Sequence, residues 1–226
     1  MREIVLDTET TGLDPKDGDR IVEVACLELV DRVWTGAKFQ EYIWPDRDMP
    51  DEAFRVHGIS IESLEGKPRF EAIADSLLAF IDGAPVVAHN APFDMKFLNW
   101  ELQNCDRPLL PMDKVVDTLA IARKRFPGAG NSLDALCRRF EVDNTDRTLH
   151  GALIDSRLLA DVYYHLSGVK QAGLALAGQS ETAAGPVERV RREPRRFDVP
   201  AAELAAHRAF LETEVKDPIW LRDGAE

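Results

Sequence analysis

The stretch IVLDTETTGLD, residues 4–14, places two acids directly after an apolar run. The apolar start is typical of a buried β-strand. Because strand side chains alternate between faces, Asp7 and Glu9 share one face and Thr8 lies on the other. Neighbouring carboxylates repel each other unless a positive charge lies between them. The stretch therefore predicts a strand that delivers an acidic pair to one edge of a sheet.

Composition favours a globular protein that makes no contact with a membrane. The 226 residues, 45% of them hydrophobic, suit one sizeable domain with an appendage. No apolar run reaches the roughly 18 residues that a membrane span needs, and no secretory leader precedes the first strand. Cys26, Cys105 and Cys137 contain no C-x-x-C pair and indicate reduced thiols. We expect a cytoplasmic protein.

The charge distribution restricts how a polyanionic substrate could be held. The formal net charge is −12, and residues 1–166 contain 19 basic and 30 acidic residues. So acidic a domain does not retain nucleic acid by bulk electrostatics. A polyanion must then be held locally, by metal ions or by a partner that binds it first.

The pattern of apolar residues predicts an α/β fold with a mixed β-sheet flanked by helices. Three early strands precede alternating helices and short strands. A segment rich in Gly, Ala, Ser and Pro follows Leu166 and predicts a flexible C-terminal tail. The predicted division is a domain at 1–167, a linker at 168–200 and a C-terminal segment at 201–226.

Two further segments carry acids next to the predicted end of a strand or helix. Asp94 follows the short strand PVVAHN, where it could also serve only as a favourable charge at a helix N-terminus. His150 and Asp155 would lie about 140° apart on one regular helix. They converge only if His150 lies in the loop before the helix, which Gly151 makes feasible. Alone, His150 would be a surface or capping residue.

The acidic pair of the first strand could also serve a different purpose. It could be a solvated strand end or a cap for a neighbouring helix. It could equally belong to a Walker-B-type strand, which requires a G-x-x-x-x-G-K-[ST] phosphate loop. The chain offers only EGKPRF, with one glycine before Lys67 and no Ser or Thr after it. The nucleotide-triphosphatase interpretation is therefore weak.

Four carboxylates from three segments fit a site for hard divalent cations. Mg²⁺ and Mn²⁺ prefer carboxylate oxygens and water, and two ions about 4 Å apart can clamp the attacking and leaving oxygens of a phosphodiester. Imidazole ionises near neutral pH and suits proton abstraction from water. The residues therefore predict two bound divalent cations, Mg or Mn.

Several motifs resemble one known family. DTET, HNAPFD and HGALIDS, supported by DEAFRVHGI, VVDTLAIARKRFPG and NSLDALCRRFEVDN, occur in order over about residues 3–166. They resemble the DEDDh 3′–5′ exonucleases, and among them the proofreading exonucleases of bacterial DNA polymerase III. The resemblance implies a ribonuclease-H-like fold and hydrolysis that releases nucleoside monophosphates from DNA 3′ ends.

The resemblance also implies a role for each matching residue. Asp7, Glu9 and Asp155 would bind the first metal ion. Asp7, with Asp94 directly or through water, would bind the second, and His150 would be the general base.

Other matching residues would contact the terminal nucleotide. Glu52 and His57 could instead be ordinary helix surface, and Phe93 could be core. Asp117 would support the site from behind or be structural. The implied substrate-contacting residues are Asp7, Glu9, Glu52, His57, Asn90, Phe93 and Asp155.

The tail carries the predicted partner contacts. Gln171, Leu174 and Leu176 resemble a sliding-clamp-binding motif, which lacks its usual aromatic end, so clamp binding should be weak; a plain linker is the alternative. Ile219, Trp220 and Leu221 form an apolar segment that could anchor the catalytic (alpha) subunit of DNA polymerase III or fold back on its own domain. A small accessory subunit is a further possible partner.

The predicted function is proofreading of single-stranded or frayed DNA 3′ ends. Two rivals remain at this point: a ribonuclease of the same family that trims RNA 3′ ends, and a non-catalytic replisome scaffold. Recognition of the 2′-OH would mark the ribonuclease. The gathered acids argue against the scaffold.

Overall fold

The computed structural model describes residues 1–145, 149–168 and 199–215. The chain divides into two units, Met1–Gly178 and Gln179–Glu226. The first unit contains the sheet and its helices, and the second contains one described helix, α7 (Ala201–Glu214). The predicted division at 1–167, 168–200 and 201–226 stays a prediction.

A five-stranded mixed sheet forms the centre of the first unit. Its strands are β1 (Arg2–Thr10), β2 (Ile21–Val30), β3 (Val33–Tyr42), β4 (Val86–Ala88) and β5 (Val115–Asp117). They lie in the order β3-β2-β1-β4-β5. β1 pairs antiparallel with β2 and parallel with β4. The acidic strand is therefore the central one.

Helices cover both faces of this sheet. They are α1 (Asp51–His57), α2 (Phe70–Ile81), α3 (Ala91–Asn104), α4 (Thr118–Arg125), α5 (Leu133–Phe140) and α6 (Ala152–Leu166). Ile4 and Leu6 pack in a core with α2 and α3, whereas Val5 packs in a second core with α5 and α6. The side chains of β1 alternate between two hydrophobic cores, one on each face of the sheet. The predicted α/β fold, a mixed sheet flanked by helices, is confirmed.

Helix ends follow local chemistry. α1 ends before Gly58, whose φ of 69° is the left-handed conformation that glycine adopts without strain. The C-cap of α2 is Asp82, which takes a left-handed conformation with φ 45° ahead of Gly83. Aspartate tolerates this conformation better than most residues. Ser132 caps α5 by accepting a hydrogen bond from the Ala135 amide.

Buried charges fix the central strands to the helices. Arg20 donates two hydrogen bonds of 2.7 Å to the carboxylate of Glu101, which is 1% exposed. On the other face, Glu3 accepts hydrogen bonds from Tyr163 and from Arg32. Each buried acid is thus satisfied by a fixed partner, as burial of a charge requires.

The three cysteines are thiols and not disulfides, as predicted. Among the described helices, none combines the length and the apolar character that crossing a bilayer requires.

Candidate active site

The end of β1 presents Asp7 and Glu9 on the face that α6 covers. Val5, on the same face, packs with α6 residues, so the two acids that follow point towards the N-terminus of that helix. Asp155 lies in the first turn of α6 and is 4% exposed. The ladder with β2 shifts register between Glu9 and Thr10, where the strand leaves the sheet. Three acids from two elements therefore meet at one sheet edge.

His150 reaches the same place from the loop before α6. Gly151 is the extended N-cap of the helix, with φ −165° and ψ 127°, so His150 does not follow the helical spacing. Its backbone amide donates to the carbonyl of Val56 in α1, at 3.1 Å. Its Nδ1 lies 3.2 Å from Oδ2 of Asp155. The sequence predicted that His150 and Asp155 converge only if the helix begins after His150. The structure shows this helix boundary and this contact.

The cluster has the donor set of a cation site. One ligand atom each from Glu9, His150 and Asp155 lies within 4.8 Å of the others. Two carboxylate oxygens and an imidazole nitrogen are ligands that divalent metals accept. The residues present therefore fit a bound divalent cation.

Asp94 approaches the cluster from α3, on the opposite face of β1. Its Oδ1 accepts hydrogen bonds from the Thr8 amide at 3.1 Å and the Thr8 hydroxyl at 2.8 Å. Thr8 therefore contacts Asp94 on the face of β1 opposite to that of Asp7 and Glu9. Burial raises the pKa of Asp94 to about 7, against the lowering effect of the Thr8 hydrogen bonds.

Asp7 lies at the centre of the negative charge. Burial raises its pKa well above the ordinary value, and the neighbouring Asp94, Glu9, Asp155 and Glu23 raise it further. Such a site binds protons strongly unless a cation replaces them. The requirement for a positive charge among these carboxylates supports a bound metal ion at this site.

A cleft of about 660 Å³ opens from these acids towards α1. Glu52, His57 and Phe93, three of the predicted nucleotide contacts, line it. His57 is only 6% exposed, so the alternative of ordinary helix surface is wrong for it, while Glu52 is exposed. Burial lowers the pKa of His57. Phe93 both lines the cleft and packs on Phe97, with ring centroids 5.1 Å apart.

Asn90 does not line this cleft. It is exposed and left-handed, with φ 68°, as the N-cap of α3. The carboxylate of Asp117 accepts from the amides of Asn90 at 3.0 Å and Leu119 at 3.0 Å. Asp117 therefore fixes the starts of α3 and α4 together, which sets the helix that carries Asp94.

Sequence reasoning missed Glu23. Its side chain is 2% exposed, pairs across the ladder from Glu9, and accepts the Ala152 amide at 3.0 Å. It thereby holds the N-terminus of α6 beside the acids. One of the two acids in the largely apolar run IVEVACLELV was the available signal, since a buried carboxylate needs a partner.

The loop between β1 and β2 also helps to shape the cleft, which the sequence did not predict. Asp19 accepts from the Asp14 amide at 3.1 Å and from Arg47 at 2.7 Å. The side chain closes the loop that presents Leu13 to the cleft. The contact with Arg47, 28 positions away, could not be predicted from the local sequence.

The predicted clamp-binding residues Gln171, Leu174 and Leu176 and the predicted polymerase-binding residues Ile219, Trp220 and Leu221 lie outside the described residues.

A mixed sheet with carboxylates converging at the end of its central strand fits the site of a metal-dependent nuclease. The model of the family described as exonuclease matches residues 4–163. Exonuclease X in complex with 5′ overhanging duplex DNA is similar, with TM-score 0.58 and 25% identity over 75% of this chain and 93% of that one. A structure of exonuclease I is also similar, with TM-score 0.65 and 18% identity over 76% of this chain and 42% of that one. At this identity the similarity supports the fold only.

Two curated relatives are similar over nearly their whole length. DNA polymerase III subunit epsilon of Rickettsia felis is 47% identical, covering 96% of this chain and 98% of that protein. The protein of the same name from Escherichia coli is 44% identical, covering 93% and 92%. The chain belongs to the exonuclease family and, within it, to the DNA polymerase III epsilon subunits. Its activity is that of a 3′–5′ proofreading exonuclease, with the ribonuclease-H-like fold and the divalent-metal dependence of that family.

Proposed function

We propose that this chain hydrolyses the 3′-terminal phosphodiester of DNA with two divalent cations, Mg²⁺ or Mn²⁺, and releases nucleoside monophosphates. The supporting observation is the convergence of Glu9, His150 and Asp155 beside the half-buried Asp7. Asp7, Glu9 and Asp155 would hold one cation. Asp7, with Asp94 directly or through water, would hold the other. When bound, the cations supply an activated water and stabilise charge on the phosphate.

The chain's own residues account for the proton and for substrate position. With its Nδ1 proton donated to Asp155, His150 takes the proton of water at Nε2. Phe93 and His57 in the cleft hold the terminal nucleotide, and Glu52 contacts its sugar edge from the rim. An unpaired end reaches this cleft at a lower unstacking cost than a paired one, which favours mismatches.

The test compares the purified chain with His150→Ala. The substrates are 3′-mismatched DNA, matched DNA and single-stranded RNA, each with Mg²⁺, Mn²⁺ or chelator. We expect metal-dependent release of deoxynucleoside monophosphates that falls by about 10²–10⁴-fold in the variant, the usual contribution of general-base catalysis. His207→Ala, which removes an exposed histidine of α7, is the matched control. A preference for RNA would contradict the DNA assignment.

Metal titration separates a base from a ligand. If His150 is the base, His150→Ala retains Mn²⁺ affinity in calorimetry while Asp155→Asn loses it. Equal loss in both variants would make His150 a metal ligand and would remove it from the role of base.

We propose further that residues 201–226, with Ile219, Trp220 and Leu221, bind the catalytic subunit of DNA polymerase III in the bacterial cytosol. The names of the relatives support this partner. Gln171, Leu174 and Leu176 would add weak clamp binding, and a small accessory subunit would complete the assembly. Deleting 201–226 should end co-purification with the polymerase subunit and keep nuclease activity. Unchanged co-purification would place the contact elsewhere.

A further inference from the structure

A second depression extends from the acidic cluster in another direction. It has a volume of about 430 Å³, within the range of about 300–1,000 Å³ typical of ligand sites. It shares Asp7, His89, His150 and Asp155 with the cleft described above. Beyond these residues the two depressions diverge. The cleft continues to α1, and the second depression, here the α4–α5 groove, continues to α4 and α5.

The remaining lining of the α4–α5 groove differs chemically from that of the cleft. It consists of Leu119, Arg123, Ser132, Leu133 and Asp134. Arg123 is the only Lys or Arg among these lining residues and those shared with the cleft. It is exposed and makes no ion pair with any residue that the structure describes. A single available cation beside a site for a polyanion is a candidate phosphate contact.

The proposed reaction requires two substrate positions around this cluster. The scissile phosphodiester lies at the acids, with the departing nucleotide on one side and the retained strand on the other. The cleft, with Phe93 and His57, suits the base of the departing nucleotide. The retained strand then has the α4–α5 groove available.

We infer that the α4–α5 groove binds the penultimate nucleotide of the retained strand, with Arg123 contacting the phosphate on its 5′ side. The Ser132 hydroxyl, which also lines the groove, can donate a further hydrogen bond to that phosphate. Asp134 repels it, which leaves Arg123 as the charge that sets phosphate position. This inference rests on the proposed DNA exonuclease function.

Two dinucleotides test this contact: d(TpT) and its 5′-phosphorylated form d(pTpT). Both contain one scissile bond, and only the second carries the phosphate that Arg123 would meet. We expect the wild type to show a KM about five- to tenfold lower for d(pTpT), as for a charge-assisted contact near the surface. Arg123→Gln should reduce this preference to less than twofold, and Arg123→Lys should retain part of it.

Lys124→Gln is the matched control, since it removes the same charge from the neighbouring, exposed position on α4 that does not line the groove. It should keep the wild-type preference. On longer DNA, Arg123→Gln should also lower the slope of log KM against log salt by about 0.7, the value for one phosphate contact on a single strand.

The outcomes separate this inference from the proposed function. If the wild type shows no phosphate preference, or if Arg123→Gln retains it, the groove assignment is wrong although exonuclease activity stands. If the folded wild type cleaves neither dinucleotide nor longer DNA, the proposed function itself is wrong.

Discussion

Asp94→Asn tests whether ionisation of the buried Asp94 carboxyl destabilises the metal-free protein. The pKa of Asp94 rises from 3.8 to about 7, chiefly because of burial. The folded protein therefore holds this proton more tightly than the unfolded chain does. That contribution to stability is complete below 3.8 and is lost as the pH rises through about 7.

The size of the effect follows from these two values. Between pH 5 and pH 8 the ionisation of Asp94 costs the wild type about 2–3 kcal/mol. Asparagine does not ionise, and its side-chain oxygen can accept both hydrogen bonds from Thr8. At pH 8 in chelator, we expect Asp94→Asn to unfold about 4–8 °C above the wild type, given about 2 kcal/mol of gain.

Thermal and urea unfolding in EDTA at pH 5 and pH 8 measure this effect. Asp113→Asn, which neutralises an exposed acid outside the cluster, should leave stability nearly unchanged at both pH values. The advantage of asparagine at position 94 must grow from pH 5 to pH 8. An equal advantage at both values, or a variant less stable than the wild type at pH 8, would refute the argument from charge.

The remaining predictions concern the loop, a buried ion pair and metal removal. Gly12→Ala should raise KM and lower the free energy of unfolding by about 1–3 kcal/mol, because a Cβ there would lie 2.2 Å from Asp19 Oδ2. Kinetics and urea unfolding measure these two effects, and wild-type values for both would show that the loop can shift to admit the Cβ. Glu101→Ala should cost about 3 kcal/mol in urea unfolding, since it leaves Arg20 without its acid; a loss below about 1 kcal/mol would mean that solvent compensates for it. At pH 8, Mn²⁺ should raise the wild-type melting temperature, and Asp7→Ala should abolish that rise.

Much of the site could be predicted because it depends on local geometry. Strand alternation placed Asp7 and Glu9 on one face, and Gly151 made the loop position of His150 feasible. Both follow from residues adjacent in the sequence.

The parts that escaped prediction depend on contacts between distant residues. Glu23 gains its role from an amide 129 positions away. The surface alternative for His57 failed because His57 is buried although its neighbours Phe54 and Val56 are exposed. The backbone of Asn90 is fixed by a hydrogen bond to Asp117, 27 positions away. Arg123 lies in the basic last turn of α4, and nothing in the sequence indicates that this turn borders a groove.

The attachment of α6 to the central sheet also determines when, during synthesis, the active site can form. Glu3 meets Tyr163 across 160 positions, and Glu23 meets Ala152 across 129. During synthesis from the N-terminus, a nascent chain that ends before α6 carries Asp7, Glu9, Asp94 and His150 but not Asp155. With Asp155 in its proposed role, the ribosome-bound precursor lacks a metal ligand, and nuclease activity begins only when the last helix of the sheet unit has emerged and docked.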